Sequence, residues 1–484
     1  MKRALVAVMT VFIFITAARA VDKDSYEALK PLMEVYSIIQ DAYVDEDKTN
    51  PKDLVDGAMK GMVETLDPFS QYMDKQAYKD MQEDTKGEFG GLGIEISVKD
   101  GQLMVVAPIE DTPAYKIGIK AGDKIMKIEG DSTEGLQVMD AVHKLRGTPG
   151  TKVTITIQRG LDPNMKDITI TREVIKVQTV RYNIIGDDVG YIKINEFMGN
   201  GSDTVSQALD VFNKHEVKKL IIDLRDNPGG LLDEAVKIAG YFLPKDTLVV
   251  YTEGRVKSKG LKFKSDSPEL FDGKIVVLIN RGSASASEIL SGALQDWNRA
   301  IIVGTRSFGK GSVQTIIPLS DNSALRLTTA QYMTPKGRKI HGVGIDPDIN
   351  LEEQTPSSFT LSLFDKGYFE EFATRYLKEH PEGPAKNQKE ESQKVSESDI
   401  KVFFKKSADD KMLDDFKEML DGKGVEVKAP EFFADRDILL KYIKIEIARK
   451  QKGSGEAKKV EIENDQQVKR AIDILNTMLK FSSK

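Results

Sequence analysis

From about Val174 to Asp348, short and continuously apolar runs alternate with amphipathic segments, and this alternation restricts the fold more than any other feature of the chain. Val189 to Ile194, Leu220 to Leu224, Ile275 to Ile279 and Ala300 to Val303 read as strands that are apolar at nearly every position. The spacing predicts helices between them, over about Ser202 to Phe212, Leu231 to Phe242 and Ser285 to Asp296. A strand with no polar face must be covered on both sides, and helical crossovers return each strand parallel to the last. The region therefore reads as an α/β unit around a largely parallel sheet, with Thr328 to Met333 as a further strand.

Upstream, from about Thr85 to Arg172, the texture changes to short β runs with glycine turns. Gly90-Gly91-Leu92-Gly93-Ile94 leads into a strand, Leu103 to Ala107 is a second, and Lys124 to Ile128 follows the turn Ala121-Gly122-Asp123. A helix over about Leu136 to Leu145 and a strand over Val153 to Ile157 complete the run. This order, with Pro113-Ala114 between its second and third strands, resembles a PDZ domain. The resemblance implies that Gly91, Leu92, Gly93 and Ile94 form the loop that takes a peptide's C-terminal carboxylate on backbone N–H groups, the peptide adding as a strand. Glycine suits such a loop because a carboxylate must come close to the backbone. A plain glycine hairpin in a small β domain is the alternative.

Met1-Lys2-Arg3, an apolar run from Ala4 to Thr16 and Ala18-Arg19-Ala20 fit a secretory signal peptide cleaved near Ala20. Export, to a periplasm or otherwise beyond the cytoplasm, is the expectation, with an uncleaved anchor as the alternative. The sequence has no cysteine, so neither cross-links nor thiol chemistry are available. A net charge of −6 with lysines interleaved among acids argues against a nucleic-acid partner. Helical periodicity marks Tyr26 to Tyr43 and about Pro51 to Leu66, the second with Asn50 as N-cap and Pro51 in the first turn. Beyond Leu351, Pro381-Glu382-Gly383-Pro384 and Lys386 to Ser392 read as a polar linker, and Gly453-Ser454-Gly455 as a flexible joint. The stripe Val468, Ala471, Ile472, Leu475, Met478, Leu479 marks a last helix that packs on its own domain or, alternatively, binds a partner.

The chemistry concentrates in Asn280-Arg281-Gly282-Ser283-Ala284-Ser285-Ala286-Ser287-Glu288, with Lys310 and Gln314 downstream. The chain has only four histidines, and none sits in a segment suited to a Ser/His/Asp site. A serine hydroxyl needs a base, and a lysine can serve if burial disfavours its ammonium by roughly 4 kcal/mol, about three pKa units. Lys310 suits the task because no acidic residue lies between Arg306 and Leu319. Gln314 can orient a neutral amine without adding charge. Ser283, Ser285 and Ser287 alternate, and the residues alone leave the nucleophile open among them, with Ser283 and Ser287 better suited to capping the helix or bonding locally. Acyl transfer also needs oxyanion donors. Ala286, at a helix N-terminus, offers one, and Gly229 or Gly230 in Asp226-Asn227-Pro228-Gly229-Gly230 offers a second, unless that segment is simply a strand–helix turn.

Gly304-Thr305-Arg306-Ser307-Phe308-Gly309-Lys310 matches most of a phosphate-cradling loop, but Gly311 stands where the Mg²⁺-binding hydroxyl is required. No two histidines lie close together and no HExxH occurs, so neither a metal nor a cofactor is expected.

At these residues the chain resembles the bacterial carboxyl-terminal processing (tail-specific) proteases. Leu66-Asp67-Pro68-Phe69-Ser70, Asp223 to Gly230, Gly282 to Glu288, Gly304 to Gln314 and Gly342-Val343-Gly344-Ile345-Asp346-Pro347-Asp348 occur in that family's order. The resemblance implies a crotonase-like α/β protease core with an inserted PDZ-like domain, flanked by N- and C-terminal helical regions. It implies Ser285 as nucleophile, Lys310 as general base and Gln314 as its orienting residue, and it puts Arg146 where a regulatory arginine links peptide binding to assembly of the site. The divisions that follow are a signal peptide over 1–20, an N-terminal helical region over 21–84, the PDZ domain over 85–172, the protease core over 173–352 and a C-terminal helical region with a polar linker over 353–484. The expected activity is an exported serine endopeptidase that recognises protein C-termini and cleaves through an acyl-enzyme. Expected partners are proteins or peptides with free C-termini, an activating adaptor protein and a second copy of the chain. The rival is a non-catalytic PDZ adaptor on a protease-like core.

Overall fold

The computed structural model describes residues 23–85, 87–99, 101–109, 111–120, 122–160, 164–186, 188–255, 260–383 and 408–482. The segment read as a signal peptide and most of the polar linker lie outside them. Two compact units divide the chain, residues 1–78 with 315–328, and residues 79–314 with 329–484.

In the first unit the two predicted helices run over Lys23–Ala42 and Pro51–Glu64. Asn50 caps the second by accepting the Lys52 N–H at 2.9 Å, with Pro51 in the first turn where its missing N–H costs nothing. Strand Gln71–Met73 pairs antiparallel with residues 324–326, an excursion the sequence pattern did not assign to this unit. The turn before it is held by Asp67, whose carboxylate accepts the Phe69 and Ser70 N–H groups and the Ser70 hydroxyl, each at 2.8 Å.

In the second unit the parallel sheet is present and broader than expected. Its order is Val180–Ile185, Val189–Ile194, Lys219–Asp223, Lys274–Ile279, Ala300–Gly304, Ile349–Asn350. Only the first pair is antiparallel. Alternate residues of each strand serve opposite faces. On one face Ile192, Leu220, Ile222, Ile275 and Val277 pack against the helices Gly201–Lys214, Leu232–Gly240 and Ala286–Asp296. On the other, Tyr191, Ile221, Val276, Leu278 and Val303 pack against Val468, Ala471, Ile474 and Leu475 of the helix Gln466–Ser482. The apolar stripe of that helix is therefore spent inside its own unit. Full burial of Val468 and Leu475 is worth about 1.5–3 kcal/mol each.

The PDZ-like region has its own core of Leu103, Ile125, Ile128, Val153 and Ile155, all fully buried. Its sheet runs Ile94–Lys99, Gln102–Pro108, Lys124–Ile128, Lys152–Gln158, Lys166–Thr171, so Ile94–Lys99 is an edge. The helix beside it begins at Val138, two residues later than expected, because Leu136 and Gln137 remain extended or turned ahead of it. Asp123 of the turn is 1% exposed and takes two 2.7 Å bonds from Arg159 plus the Lys120 N–H. Beyond residue 351, helices Ser358–Asp365, Tyr368–Glu379, Ala408–Gly422 and Arg436–Lys452 enclose a separate core around Phe369, Phe372, Phe416 and Ile443. Gly453, expected in a flexible joint, instead forms a turn at φ 85° between two helices, Arg436–Lys452 and Ser454–Glu463. The positive φ explains the glycine. None of the helices among the described residues is long and apolar enough to cross a membrane.

Candidate active site

The strand Lys274–Ile279 ends in the turn that carries the three serines. Ser283 and Ser287 are fully buried, and both hydroxyls are occupied. Ser283 Oγ donates to the Leu224 carbonyl at 2.8 Å and Ser287 Oγ to the Asn227 carbonyl at 3.0 Å. With the Ala284 N–H donating to the Asn227 carbonyl at 2.9 Å, they stitch this turn to the loop after strand Lys219–Asp223. Ser285 differs from both. It is half-buried and sits at the N-cap of the helix Ala286–Asp296 with φ 54° and ψ −112°. A non-glycine residue in that region stores about 1–3 kcal/mol of strain, a cost that recurs where a strand–helix elbow lifts a serine hydroxyl toward substrate. Ala286 follows as the first helical residue, so its N–H has no intrahelical acceptor and lies at the positive end of the helix dipole.

Lys310 lies between Gly304 and strand Ser312–Pro318. No helix follows it, as a phosphate-cradling loop requires, and the nucleotide reading of that segment is excluded. The segment is fastened by Glu288, which the sequence showed only as the end of the serine motif. Glu288 is 0% exposed. One carboxylate oxygen accepts the N–H of Ser285 and of Lys310, both at 2.8 Å. The other accepts the Gly309 N–H at 2.7 Å and the Ser307 hydroxyl at 2.5 Å. The backbone nitrogens of Ser285 and Lys310 thus lie within about two hydrogen-bond lengths of each other. Burial pushes the Glu288 carboxyl up, while the Ser307 hydroxyl and the three N–H groups pull it down. No acid lies between Arg306 and Leu319, but the fold brings Glu288 from another element to the Lys310 backbone N–H. Its four donors screen that carboxylate.

Gln314 is part of the strand Ser312–Pro318, and its Nε2 donates to Ser312 Oγ at 2.8 Å, which fixes the plane of the amide. Gly229 lies directly against the serine. A Cβ there would stand 2.7 Å from Ser285 Cβ and 2.9 Å from the Ala284 carbonyl, at φ 110°. Its N–H, expected to face an oxyanion, instead donates to Asn227 Oδ1 at 2.8 Å, because the asparagine side chain closes a local turn. At the head of the same loop, Asp223 is 1% exposed and accepts Tyr191 Oη at 2.7 Å, Lys193 Nζ at 3.2 Å and Arg225 Nη2 at 2.6 Å. Burial opposes its charge, but Arg225, Lys193 and Tyr191 together hold its carboxyl well below the usual range.

In the PDZ region Leu92 is 2% exposed and belongs to the domain core, leaving half-buried Ile94 at the start of the open edge. Gly93 has φ 76°, and a Cβ there would collide with Thr112. The Leu92 carbonyl accepts the Ala114 N–H at 3.0 Å, and the Gly93 carbonyl accepts the Ile109 N–H at 2.9 Å and the Thr112 hydroxyl at 3.1 Å. Gly91 pairs with Glu173. Arg146 ends the adjacent helix, and its guanidinium stacks over the Phe89 ring, 4.2 Å from the centroid, in the strand that enters the loop.

Comparison with known proteins matches this division of labour. A model described as peptidase family S41 covers residues 188–351, one described as PDZ domain covers 81–158, and one described as activating protease CtpB N-terminal domain covers 14–77. A carboxy-terminal-processing protease of Bartonella bacilliformis is 45% identical over 385 residues, spanning 78% of this chain and 85% of the relative. A probable CtpA-like serine protease of Staphylococcus saprophyticus is 40% identical over 349 residues, 72% of this chain and 70% of the relative. Among solved structures, a photosystem II D1 C-terminal processing protease is 28% identical with a TM-score of 0.41, spanning 66% of this chain and 92% of its own. The α/β core and the PDZ domain together define a serine-type peptidase that carries its own peptide-binding module. The chain belongs to the carboxy-terminal-processing protease family. That membership sets aside the reading of a non-catalytic adaptor.

Proposed function

We propose that this protease cleaves with Ser285 as nucleophile, Lys310 as general base and Gln314 as the residue that orients the lysine. The observation that carries the reading is the Glu288 carboxylate, which holds the backbone of Ser285 and of Lys310 on a single oxygen. Ser285 Oγ attacks the scissile carbonyl while Lys310 Nζ accepts its proton. The proton passes to the leaving amine as the C–N bond breaks, and water then hydrolyses the acyl-enzyme with Lys310 again as base. Ala286 N–H is the first oxyanion donor, assisted by the helix dipole. The second falls to the Gly229–Gly230 turn, where the Asn227 carboxamide must release the Gly229 N–H before that group can serve.

Substrates are proteins with a free C-terminus, which docks at Gly91–Ile94 and adds as a strand along the open edge Ile94–Lys99. Arg146, stacked at the entry to that loop, is the residue through which occupancy reaches the rest of the molecule. The leader-like sequence before residue 21 supports an exported enzyme. An activating adaptor protein or a second copy of the chain would act on this same route from loop to site.

The test uses a reporter protein whose C-terminal tail is either a free carboxylate or an amide. Wild type cuts the free-tailed form faster, and Ser285→Ala and Lys310→Ala cut neither. Equal cleavage by all three proteins rejects the catalytic assignment, and equal cleavage of both reporters by wild type rejects the docking assignment.

A further inference from the structure

The loop Asp223–Gly230 reaches the nucleophile, and its far side is gripped by residues from beyond the protease core. Arg225 is the handle. Its side chain is 12% exposed, with Nε and Nη2 bonded to Asp223. The remaining nitrogen, Nη1, donates to Asp465 Oδ2 at 2.9 Å and to Gln467 Oε1 at 2.8 Å. Both partners are rigidly held. Asp465 Oδ1 accepts the N–H groups of Gln467 and Val468 at 2.8 and 3.1 Å, capping the helix that covers the sheet, and Gln467 Nε2 donates to the Leu351 carbonyl at 2.6 Å. A second grip lies one residue further along. Asn280 Oδ1 accepts the Asp226 N–H at 2.9 Å, while Asn280 Nδ2 donates to Asp226 Oδ1 at 2.9 Å and to Glu353 Oε1 at 2.8 Å.

Charge bookkeeping explains why the grip is needed. Asp223 alone faces Arg225 and Lys193, and Asp465, which also lies 3.9 Å from Lys441 Nζ, supplies the second carboxylate of the cluster. Without Asp465, a guanidinium nitrogen is left in a largely buried setting with one neutral acceptor, and the loop that sets Gly229 against Ser285 loses its outer anchor.

We propose that the C-terminal region is a working part of the active site, with Asp465, Gln467 and Glu353 as positioning residues that hold the Asp223–Gly230 loop and Asn280 in register with Ser285. The proposal rests on the Ser285–Lys310 reading above. It predicts that loosening the grip slows the chemistry and leaves capture of the substrate tail unchanged.

Asp465→Asn is the selective variant, because the amide keeps an oxygen to cap the helix and turns an NH2 toward Arg225. Its kcat on the free-tailed reporter should fall by about 10- to 100-fold, as expected for a small displacement of reacting groups. KM and tail-peptide affinity should stay at wild-type values, the melting temperature should fall by only a few degrees because Arg225 keeps Asp223 and Gln467, and labelling of Ser285 by a fluorophosphonate should slow in parallel with kcat. Gln467→Glu keeps an acceptor for Nη1 and should retain more activity than Gln467→Met. Wild-type kcat in Asp465→Asn overturns the proposal, and so does a loss of kcat accounted for by a smaller labelled fraction at unchanged labelling rate. If Ser285→Ala or Lys310→Ala remains active, it is the underlying catalytic reading that fails; if both are dead and Asp465→Asn behaves as wild type, only this proposal fails.

Discussion

Replacing Glu288 with glutamine keeps the shape of the side chain and removes half of its acceptors. In the native enzyme four donors converge on two oxygens. The amide can turn its one oxygen toward Ser285 and Lys310, which sets its NH2 against the Gly309 N–H. Turned the other way, the NH2 faces two N–H groups at once. The first orientation costs less and leaves one buried N–H without an acceptor, about 1–3 kcal/mol. Exchange of charge-assisted for neutral bonds at the remaining donors adds about 1 kcal/mol. The sum of about 2–4 kcal/mol corresponds, in a compact unit of this size, to a melting temperature lower by roughly 2–5 °C. Loosening both Ser285 and Lys310 should also lower kcat by about 10- to 100-fold. Gly91–Ile94, the proposed docking loop, makes no part of this cluster, so peptide affinity should not change. Thermal melting by circular dichroism and initial rates on the free-tailed reporter read the two effects. A melting temperature within about 1 °C of wild type together with kcat within a factor of about two would refute the argument that this carboxylate joins the segments of Ser285 and Lys310 in a working site.

Asp223→Asn strips Arg225 and Lys193 of their shared charge partner and should destabilise the protein by about 3–5 kcal/mol at neutral pH. Because the folded carboxyl lies below its unfolded value, that contribution is present above about pH 4 and is lost as the pH falls further. The gap in urea midpoint between wild type and variant should therefore close in acid, and a gap independent of pH contradicts the assignment. Gly93→Ala places a Cβ against Thr112 at a positive φ and should weaken binding of a fluorescent tail peptide at least tenfold while Ser285 remains labelled by a fluorophosphonate. Unchanged affinity means the carboxylate docks elsewhere.

The core strands were legible because strands buried on both faces must be apolar throughout, and Val189–Ile194 and Lys274–Ile279 follow the expected limits to within a residue. The serine alternation was legible as a motif but not as a choice. Ser283 and Ser287 separate from Ser285 only through bonds to Leu224 and Asn227, some sixty residues away in sequence. Glu288 was missed because its partners Gly309 and Lys310 belong to another element. One local signal was available, since Ser285-x-x-Glu288 has the spacing of a capping box. The engagement of Gly229 by Asn227 depends on a side-chain rotamer, which composition and spacing do not encode. The stripe on the last helix was plain, whereas the sheet face it covers depends on the whole topology.

That covering helix has a consequence for biogenesis. It begins more than a hundred residues after the final core strand, Ile349–Asn350, yet it supplies Val468, Ala471, Ile474 and Leu475, the buried residues that cover one side of the sheet. At about 5–20 residues per second, a nascent sheet spends roughly 6–25 s with Tyr191, Ile221, Val276 and Leu278 bare to its surroundings. During that interval the sheet presents a bare apolar face, and the α/β core is complete only when the last stretch of chain arrives.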